Sequence, residues 1–448
     1  MNRASLRDLC SAALAAGLVA AAILVGRHTD DFRDTLRVGW PPLLADFDPH
    51  FGPGTPAAVL LAVAGVTYGP RVAARLPWRA VPLGAWLTSM AWIWSLALID
   101  GPHAGVAVRL TTRHEYLQVV DRFHDIPAAL GGFTEHILLH SPDNWPAHVA
   151  GHPPAATLTF VLLDRVGLHG GGWAGAWCIT VGASAGAAVL VAVRALASED
   201  LARRAAPFVV LAPAAVWMGT SADAYFAGVA AWAVALLAVA VTRRSCGAAA
   251  ASGLLFGLTC YLSYGLTLFA PIAASVLFLG RRGLRARPAL GAALAAGAAV
   301  VPTLFTLAGF DWWEAYRLLV TRYYQGAGGV RPYGYWVWAN LACTVVITGL
   351  ATAAGLARAA GVPARLRREG PSPQGTARAR LALVVGAACL ALLVADLSGM
   401  SKAETERIWL PFAMWLLPAC AYLTRARGWL CAQVLVALAV NHLLHTGW

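Results

Sequence analysis

The sequence predicts an all-α, polytopic membrane protein. Of its 448 residues, 59% are apolar and only 12% are charged, and the mean hydropathy is +0.62. A soluble domain carries about 25% charged residues. With half of that share, the chain has too few charged side chains to cover a water-exposed globule, so lipid must surround most of it. The same composition argues against a soluble enzyme, a disordered protein and a nucleic-acid-binding domain.

Apolar runs recur along the whole chain, and many approach the roughly 20 residues that a membrane-spanning helix requires. They predict roughly 12–14 transmembrane helices in one polytopic domain over residues 1–448. The run 205–219 contains Pro213 and ends in a polar stretch, which predicts a broken or tilted helix there. The candidate spans are 8–26, 56–70, 80–99, 153–168, 172–195, 205–219, 223–242, 247–263, 264–280, 288–308, 335–357, 381–397, 407–424 and 428–445.

Arginines predict the orientation of these helices. Of the 34 basic residues, all but Lys402 are arginine, and three arginine clusters occupy short loops at 71–79, 281–287 and 358–380. Cytoplasmic loops are rich in Lys and Arg, so we place these clusters on the cytoplasmic side of a plasma (inner) membrane. The acids, histidines and tryptophans then collect on the other side, in the loops 27–55, 100–152, 309–334 and 397–406.

The loop 100–152 holds most of the polar chemistry. It contains seven of the twelve histidines and six acidic residues. It is far longer than an ordinary connection of about 4–6 residues. Within it, the stretches 114–122 and 127–140 mix apolar and polar positions at helical spacing, which favours amphipathic helices on the membrane surface. We expect this external loop to form a roof over a non-cytoplasmic cavity.

Several short motifs resemble the GT-C superfamily of glycosyltransferases, which use polyprenyl-phosphate sugars. A helix ends at Ile99-Asp100-Gly101, and an acid–tyrosine pair follows in His114-Glu115-Tyr116. Asp143-Asn144-Trp145 and then Gly151-His152-Pro153-Pro154 lead into the next apolar run. Arg331-Pro332-Tyr333, before Asn340, and the stretch from Ser401 to Phe412 resemble later segments of high-G+C bacterial members. In that superfamily, the first large external loop carries the catalytic acid, and a His-Pro-Pro motif opens the following helix.

The resemblance implies transfer of a sugar, a hexose or a pentose such as mannose or arabinose, from a polyprenyl-phospho-sugar donor to a cell-envelope glycan or glycolipid acceptor. Such chemistry requires a base for the acceptor hydroxyl and cations for the departing phosphate. One carboxylate suffices for inversion, because the lipid phosphate is already a good leaving group. Asp100 and Glu115 are the candidate bases. The alternative for Asp100 is a polar residue that only ends a helix.

The cations most suited to the donor phosphate are Arg407, Lys402 and Arg331. An ionisable residue beside an apolar helix is a functional candidate by default. Arg407 and Lys402 could instead form a surface cluster with neighbouring glutamates that only marks the membrane interface. The candidate substrate-binding residues are His152, Tyr116, Asp223 and Glu406. For His152 and Asp223, the alternatives are a helix start before two prolines and a hydrogen-bonded acid at a helix break.

No cofactor is predicted. His136 and His140 have a spacing of i and i+4, but no further metal-ligand motif accompanies them. A divalent metal therefore stays a minor alternative. The competing functions are a flippase or transporter for lipid-linked sugars or other solutes, and a non-catalytic scaffold. A transporter would need charges deep within the spans and helices broken at paired positions.

Overall fold

The computed structural model describes residues 3–28 and 34–447, and these fold almost entirely into helices. The prediction of an all-α polytopic membrane protein is confirmed. The helices are α1 (Arg3–His28), α2 (Thr55–Arg75), α3 (Ala80–Ala97), α4 (Ile126–Gly131), α5 (Ala147–Gly151), α6 (Ala155–Arg165), α7 (Gly170–Leu196), α8 (Glu199–Val210), α9 (Ala222–Arg243), α10 (Cys246–Leu262), α11 (Ala270–Ala286), α12 (Ala289–Leu307), α13 (Trp312–Gln325), α14 (Ala327–Val330), α15 (Tyr333–Thr348), α16 (Leu350–Ala360), α17 (Val362–Glu369), α18 (Pro373–Leu397), α19 (Thr405–Ile408), α20 (Leu410–Ala413) and α21 (Ala426–Leu443).

Within the described residues, eight helices are long and apolar enough to cross a membrane, or nine if a bent pair is one span. The bent pair is α15 with α16–α17, and the break between them turns the chain by 106°. The eight spans are Ser5–His28, Thr55–Arg75, Ala80–Asp100, Gly170–Leu196, Ala222–Arg243, Tyr264–Ala286, Ala289–Leu307 and Pro373–Leu397. This is fewer than the 12–14 helices expected from hydropathy.

The difference arises because apolar runs do not all form long helices. The run 153–168 forms only the 11-residue α6, and the run 407–424 is divided between α19, α20 and a 3₁₀ helix at Leu417–Tyr422. The predicted break near Pro213 is observed, since α8 ends at Val210 and a 3₁₀ turn follows at Pro213–Val216. Proline at such a break lacks a backbone N–H donor and stops the regular helix.

The core of the bundle is formed by α7 and α9. Of the apolar windows of these helices, 67% and 83% are buried, compared with 17% for α2 and α12. Small residues allow the two backbones to approach closely. A Cβ added to Gly228 would lie 2.4 Å from the Val181 carbonyl oxygen, and one added to Gly182 would lie 2.8 Å from the Ala224 side chain. Such close packing is typical of membrane helices, and it fixes the start of α9.

The loop 100–152 is helical only in short pieces. It contains a π turn at His103–Ala107, 3₁₀ helices at Arg109–Thr111, Tyr116–Phe123 and Phe133–His136, and the short helices α4 and α5. The expectation of one helix over 127–140 is therefore wrong, because the chain turns at Gly132. Large side chains of the loop point into the protein, as the burial of Tyr116, Phe133 and Trp145 shows.

The four polar loops predicted to share a side meet at one end of the bundle. His50 contacts Asp100, Leu139 N–H donates to the Gln325 side chain, and Arg331 donates to the Lys402 carbonyl. Residues 29–33 of the first loop lie outside the described residues. Two three-residue strands, β1 (Ala45–Phe47) and β2 (Leu444–Thr446), pair antiparallel at the same end. The arginine-rich loops lie at the other end, where for example Arg203 binds the Ala73 and Leu76 carbonyls.

Candidate active site

Glu115 and Arg407 lie on either side of His148 at the polar end of the bundle. His148 Nδ1 is 2.8 Å from Glu115 Oε1, and its Nε2 is 3.5 Å from the Arg407 guanidinium. Since Arg407 can only donate, Nε2 is best placed as the acceptor and Nδ1–H as the donor to the carboxylate. Glu115 Oε2 is buried and has no hydrogen-bond partner among the described residues. A buried acceptor of this kind is costly, so it marks a position where a proton or hydroxyl group would be stabilised.

The local fold places Glu115 and His148 side by side. Glu115 precedes the 3₁₀ helix Tyr116–Phe123 in an extended conformation, and it is only 3% exposed. The His148 N–H, in α5, donates to the His114 carbonyl at 3.0 Å. This backbone bond joins the two ends of the loop 100–152 next to the carboxylate.

Arg407 is held by one acid from α9 and by one acid three residues before it in the chain. It forms an ion pair with Asp223, in the first turn of α9, and lies 3.4 Å from Glu404. Asp223 is positioned by the Ser221 hydroxyl, which caps α9. A carboxylate is favourable there because helix N-termini carry a partial positive charge. Arg407 is only 5% exposed, so these acids compensate a cation that would otherwise be expensive to bury.

An unusual backbone turn brings Glu404 and Arg407 inward. Ala403 and Glu404 have φ values of 69° and 60°, in the left-handed region that non-glycine residues rarely adopt. Arg331 stabilises this turn, since it donates to the Lys402 carbonyl at 2.9 Å and to Glu404 at 3.0 Å. Burial raises the pKa of the Glu404 carboxyl, but Arg407 and Arg331 outweigh this and lower it. Glu404 is therefore ionised.

Tyr116 and His152 form the wall beside Glu115. The Tyr116 hydroxyl lies 2.9 Å from His152 Nδ1, which is also 2.8 Å from the His148 carbonyl oxygen. Burial lowers the pKa of His152 to about 4 and raises the pKa of Tyr116 well above its usual value of 10. Both groups are thus neutral near pH 7, and they suit hydrogen bonding to a substrate better than ion pairing.

A small cavity, about the size of one water molecule, lies between Glu115, Tyr116 and Arg407. Two residues predicted as functional from opposite ends of the sequence, Glu115 and Arg407, therefore line the same space. The lining residues are Arg109, Glu115, Tyr116, His148, Thr220, Ser221, Ala222 and Arg407.

Asp100 lies in a separate cluster. Its Oδ2 is 2.6 Å from Arg109, and its Oδ1 is 2.9 Å from His50 Nε2. Arg109 thus donates to one carboxylate oxygen and His50 lies against the other, whereas Glu115 Oε2 has no partner among the described residues. Arg109 connects the two regions, because it binds Asp100 and also lines the cavity.

The remaining predicted residues lie around the site without lining its cavity. Lys402 Nζ donates to the Gly328 carbonyl at 2.9 Å, and Arg331 contacts Glu404, which also pairs with Arg407. Glu406 is fully buried and accepts the Leu44 N–H at 2.9 Å. Burial raises the pKa of Glu406 to about 7. Arg407 does pair with a neighbouring glutamate, Glu404, but the expectation of a surface cluster is wrong because Arg407 is buried and Glu406 faces residue 44.

Sequence reasoning missed His148, Glu404 and Arg109 as site residues. His148 and His152 share the spacing that drew attention to His136 and His140, and position 148 lies just ahead of the Gly-His-Pro-Pro motif. Glu404 precedes Arg407 by three residues, which is helical contact spacing. No sequence signal identified Arg109. Comparison with known proteins adds no further residues, since no family model and no curated protein matches this chain.

Proposed function

We propose that this protein is a membrane glycosyltransferase that moves a sugar from a polyprenyl-phosphate donor to a cell-envelope glycan or glycolipid acceptor. One observation carries the proposal: a buried carboxylate, Glu115, and a buried guanidinium, Arg407, line one cavity under the loop 100–152. Glycosyl transfer from a lipid phosphate needs a base on one side of the anomeric carbon and a cation on the other.

In this scheme, Glu115 accepts the proton of the acceptor hydroxyl through Oε2. The acceptor oxygen forms a bond to the anomeric carbon while the bond from that carbon to the phosphate oxygen breaks, so the configuration inverts. The electron pair of the broken bond leaves with the polyprenyl phosphate, whose charge increases. We assign the base to Glu115 and not to Asp100, because Arg109 holds Asp100 in an ion pair outside the cavity that Glu115 lines.

Arg407 is assigned to the donor phosphate. A guanidinium offers two parallel donors that match a phosphate. Arg407 is paired with Asp223 and Glu404, so phosphate binding would exchange one carboxylate partner for the donor. Arg331 and Lys402 support this position through Glu404 and the turn before it. Tyr116 and His152 would contact sugar hydroxyls, and Asp223 and Glu406 would hold the surrounding segments.

The cavity is much smaller than a sugar, so the proposal requires the loop 100–152 to move when substrate binds. Lids of this kind commonly close over a reacting substrate and exclude water. The short 3₁₀ and α-helical pieces of the loop provide several turns at which such a movement can occur.

The site is proposed to face the non-cytoplasmic side of the inner membrane, because the arginine-rich loops lie at the opposite end. A cysteine introduced at the exposed Glu135 tests this, in a background lacking the exposed Cys10 and Cys431. We expect an impermeant maleimide to label Glu135→Cys in intact cells and to label Arg368→Cys only after permeabilisation. The reverse pattern would contradict the orientation.

Turnover is tested with purified protein and a panel of polyprenyl-phospho-sugars and acceptor glycans. We expect release of polyprenyl phosphate from one donor, together with a sugar-extended acceptor, and no release by Glu115→Gln. If no member of a panel spanning hexoses and pentoses reacts, or if Glu115→Gln is as active as wild type, the proposal fails.

A flippase or transporter is the second candidate. The buried pair of Arg407 with Asp223 and the 106° break between α15 and α16 favour it, since transporters bind substrates at broken helices. Proteoliposomes distinguish the two. A transporter moves the intact lipid-linked sugar across the bilayer, whereas the glycosyltransferase leaves it in place and cleaves the sugar from the phosphate.

A further inference from the structure

A second cluster of ionisable groups, formed by His50, Asp100 and His445, lies beside the proposed active site. We propose that this His-Asp-His trio binds a divalent transition-metal ion, with Zn²⁺ as the ion that best fits its ligands. The three side chains present ligand atoms that all lie within 4.8 Å of one another. This inference does not depend on the proposed glycosyl transfer.

The strongest argument comes from the hydrogen bonding of His50. Its Nδ1 lies 2.6 Å from the Asp48 carbonyl oxygen, which can only accept a hydrogen bond. Nδ1 therefore carries the hydrogen, and in the neutral ring Nε2 presents a lone pair. That Nε2 is buried, forms no hydrogen bond within the described part of the chain, and lies 2.9 Å from the Asp100 carboxylate oxygen Oδ1. A lone pair and an anionic oxygen this close repel each other, and a metal ion bound by both would remove that repulsion.

The second oxygen of Asp100 is held in the manner expected of a metal ligand. Arg109 donates to Oδ2 at 2.6 Å, which leaves Oδ1 directed towards the two imidazoles. Metal-binding carboxylates and histidines are usually oriented by such outer hydrogen bonds, and the Asp48 carbonyl plays the same part for His50.

The distances suit a tetrahedral ion. Zn²⁺ binds histidine nitrogen and carboxylate oxygen at about 2.0–2.2 Å, which places neighbouring ligands roughly 3.3 Å apart. His50 Nε2 and His445 Nδ1 lie 2.9 Å and 3.8 Å from Asp100 Oδ1, so shifts of about half an ångström bring each nitrogen to that separation from Oδ1. The His445 side chain is 44% exposed, which gives water access to a fourth position.

The backbone brings these distant residues together. β2 pairs with β1. Next to this pairing, the His50 N–H donates to the His442 carbonyl at 2.9 Å. Gly52 allows this segment to lie against the end of α3, because a Cβ there would fall 1.8 Å from the Ile99 carbonyl oxygen. A bound ion would therefore clamp the segment that carries β2 to the start of the loop 100–152. The sequence alone favoured no metal, since positions 50, 100 and 445 form no recognisable motif.

Metal content of the purified full-length protein tests the inference. After incubation with Zn²⁺ and removal of loosely bound ion, we expect about one zinc per chain in the wild type, since the trio is one site. Loss of a direct ligand should weaken binding by at least the roughly 100-fold seen for outer-shell changes. His50→Ala and the more exposed His445→Ala should therefore both lose the ion.

His169→Ala is the matched control. His169 also lies close to an acid, with Nδ1 2.7 Å from Asp164, but that pair is exposed and belongs to no described cluster of three ligands. This variant should retain wild-type zinc. After substitution with Co²⁺, the wild type should show the visible absorption of a tetrahedral site. His50→Ala and His445→Ala should not show it. The inference is overturned if wild-type protein binds no more zinc than His445→Ala, because His50 would then be a protonated partner of Asp100.

Discussion

The two ends of the helical bundle each contain a buried arginine–aspartate pair, and the two pairs differ in how completely they are satisfied. At the arginine-rich end, Arg358 donates to both oxygens of Asp8, at 2.7 and 2.5 Å, and also to the Tyr422 carbonyl at 3.1 Å. No acid besides Asp8 is paired with Arg358 among the described residues.

At the polar end, Arg407 is shared between Asp223, Glu404 and His148. Glu115 lies on the other side of His148, and one of its carboxylate oxygens has no partner among the residues that the structure describes. A cavity adjoins this pair. The comparison teaches that the same two residue types can join helices as an ion pair, and can form part of a candidate site where a neighbouring carboxylate oxygen, Glu115 Oε2, has no partner among the described residues. Unsatisfied buried polar groups require an explanation, and ligand binding is one.

The largest expected effect is the loss of base catalysis at the polar end, which has no counterpart at the arginine-rich end. Glu115→Gln should lower turnover by about 10²–10⁴-fold while donor binding persists, because the amide cannot accept the acceptor proton. Release of polyprenyl phosphate and equilibrium donor binding are both measured. Asp100→Asn is the comparison variant, and equal losses in the two variants would remove the distinction between Glu115 and Asp100.

The pair of Arg358 with Asp8 should matter for folding. Asp8→Ala leaves Arg358 buried without its carboxylate, which typically costs about 3–5 kcal/mol. We expect a correspondingly lower free energy of unfolding in detergent, with normal turnover in the fraction that remains folded. If Asp8→Ala abolished turnover in folded protein, the pair would be more than a structural contact.

The pH dependence of stability should reflect Glu406 at the polar end. Burial raises its pKa to about 7, above the unfolded value near 4.5, so the folded state holds the proton between these values. Stability from this group is fully present below pH 4.5 and is lost as the pH rises through 7. The loss corresponds to roughly 3 kcal/mol.

Unfolding in detergent at pH 5 and pH 8 measures this loss. Glu406→Gln should reduce the difference between the two pH values, whereas Glu369→Gln, at an exposed position of the arginine-rich end, should not. An unchanged pH dependence in Glu406→Gln would show that Glu406 is ionised in the folded protein.

The smallest expected effect concerns the shape of the cation. Arg407→Lys keeps the charge but loses the two-donor fork. We expect turnover to fall about 10-fold more in Arg407→Lys than in Lys402→Arg, because the free energy of one hydrogen bond to a charged group corresponds to about that factor. Arg358→Lys is the control at the other end and should alter stability more than turnover. Equal turnover in Arg407→Lys and wild type would leave Arg407 as a structural partner of Asp223 and Glu404.

Hydropathy and arginine placement determined the membrane class and the grouping of the polar loops at one end. Both predictions depend on composition averaged over long segments, and such averages do not depend on how each segment folds in detail. The same reasoning overestimated the number of long helices. Whether an apolar run continues as a helix depends on local breaks, such as those that divide the run 407–424.

Single residues show where the sequence was sufficient and where it was not. Arg407 was identifiable because a charge beside an apolar run is costly and stands out in any sequence. Glu115 was identifiable through the acid–tyrosine pair in His114-Glu115-Tyr116. Their common cavity, the linking role of His148 and the approach of His445 to Asp100 depend on contacts between residues up to several hundred positions apart. Only the packing of the helices and the pairing of β1 with β2 bring these groups together, because a side chain's partners are set by tertiary distance and not by sequence spacing.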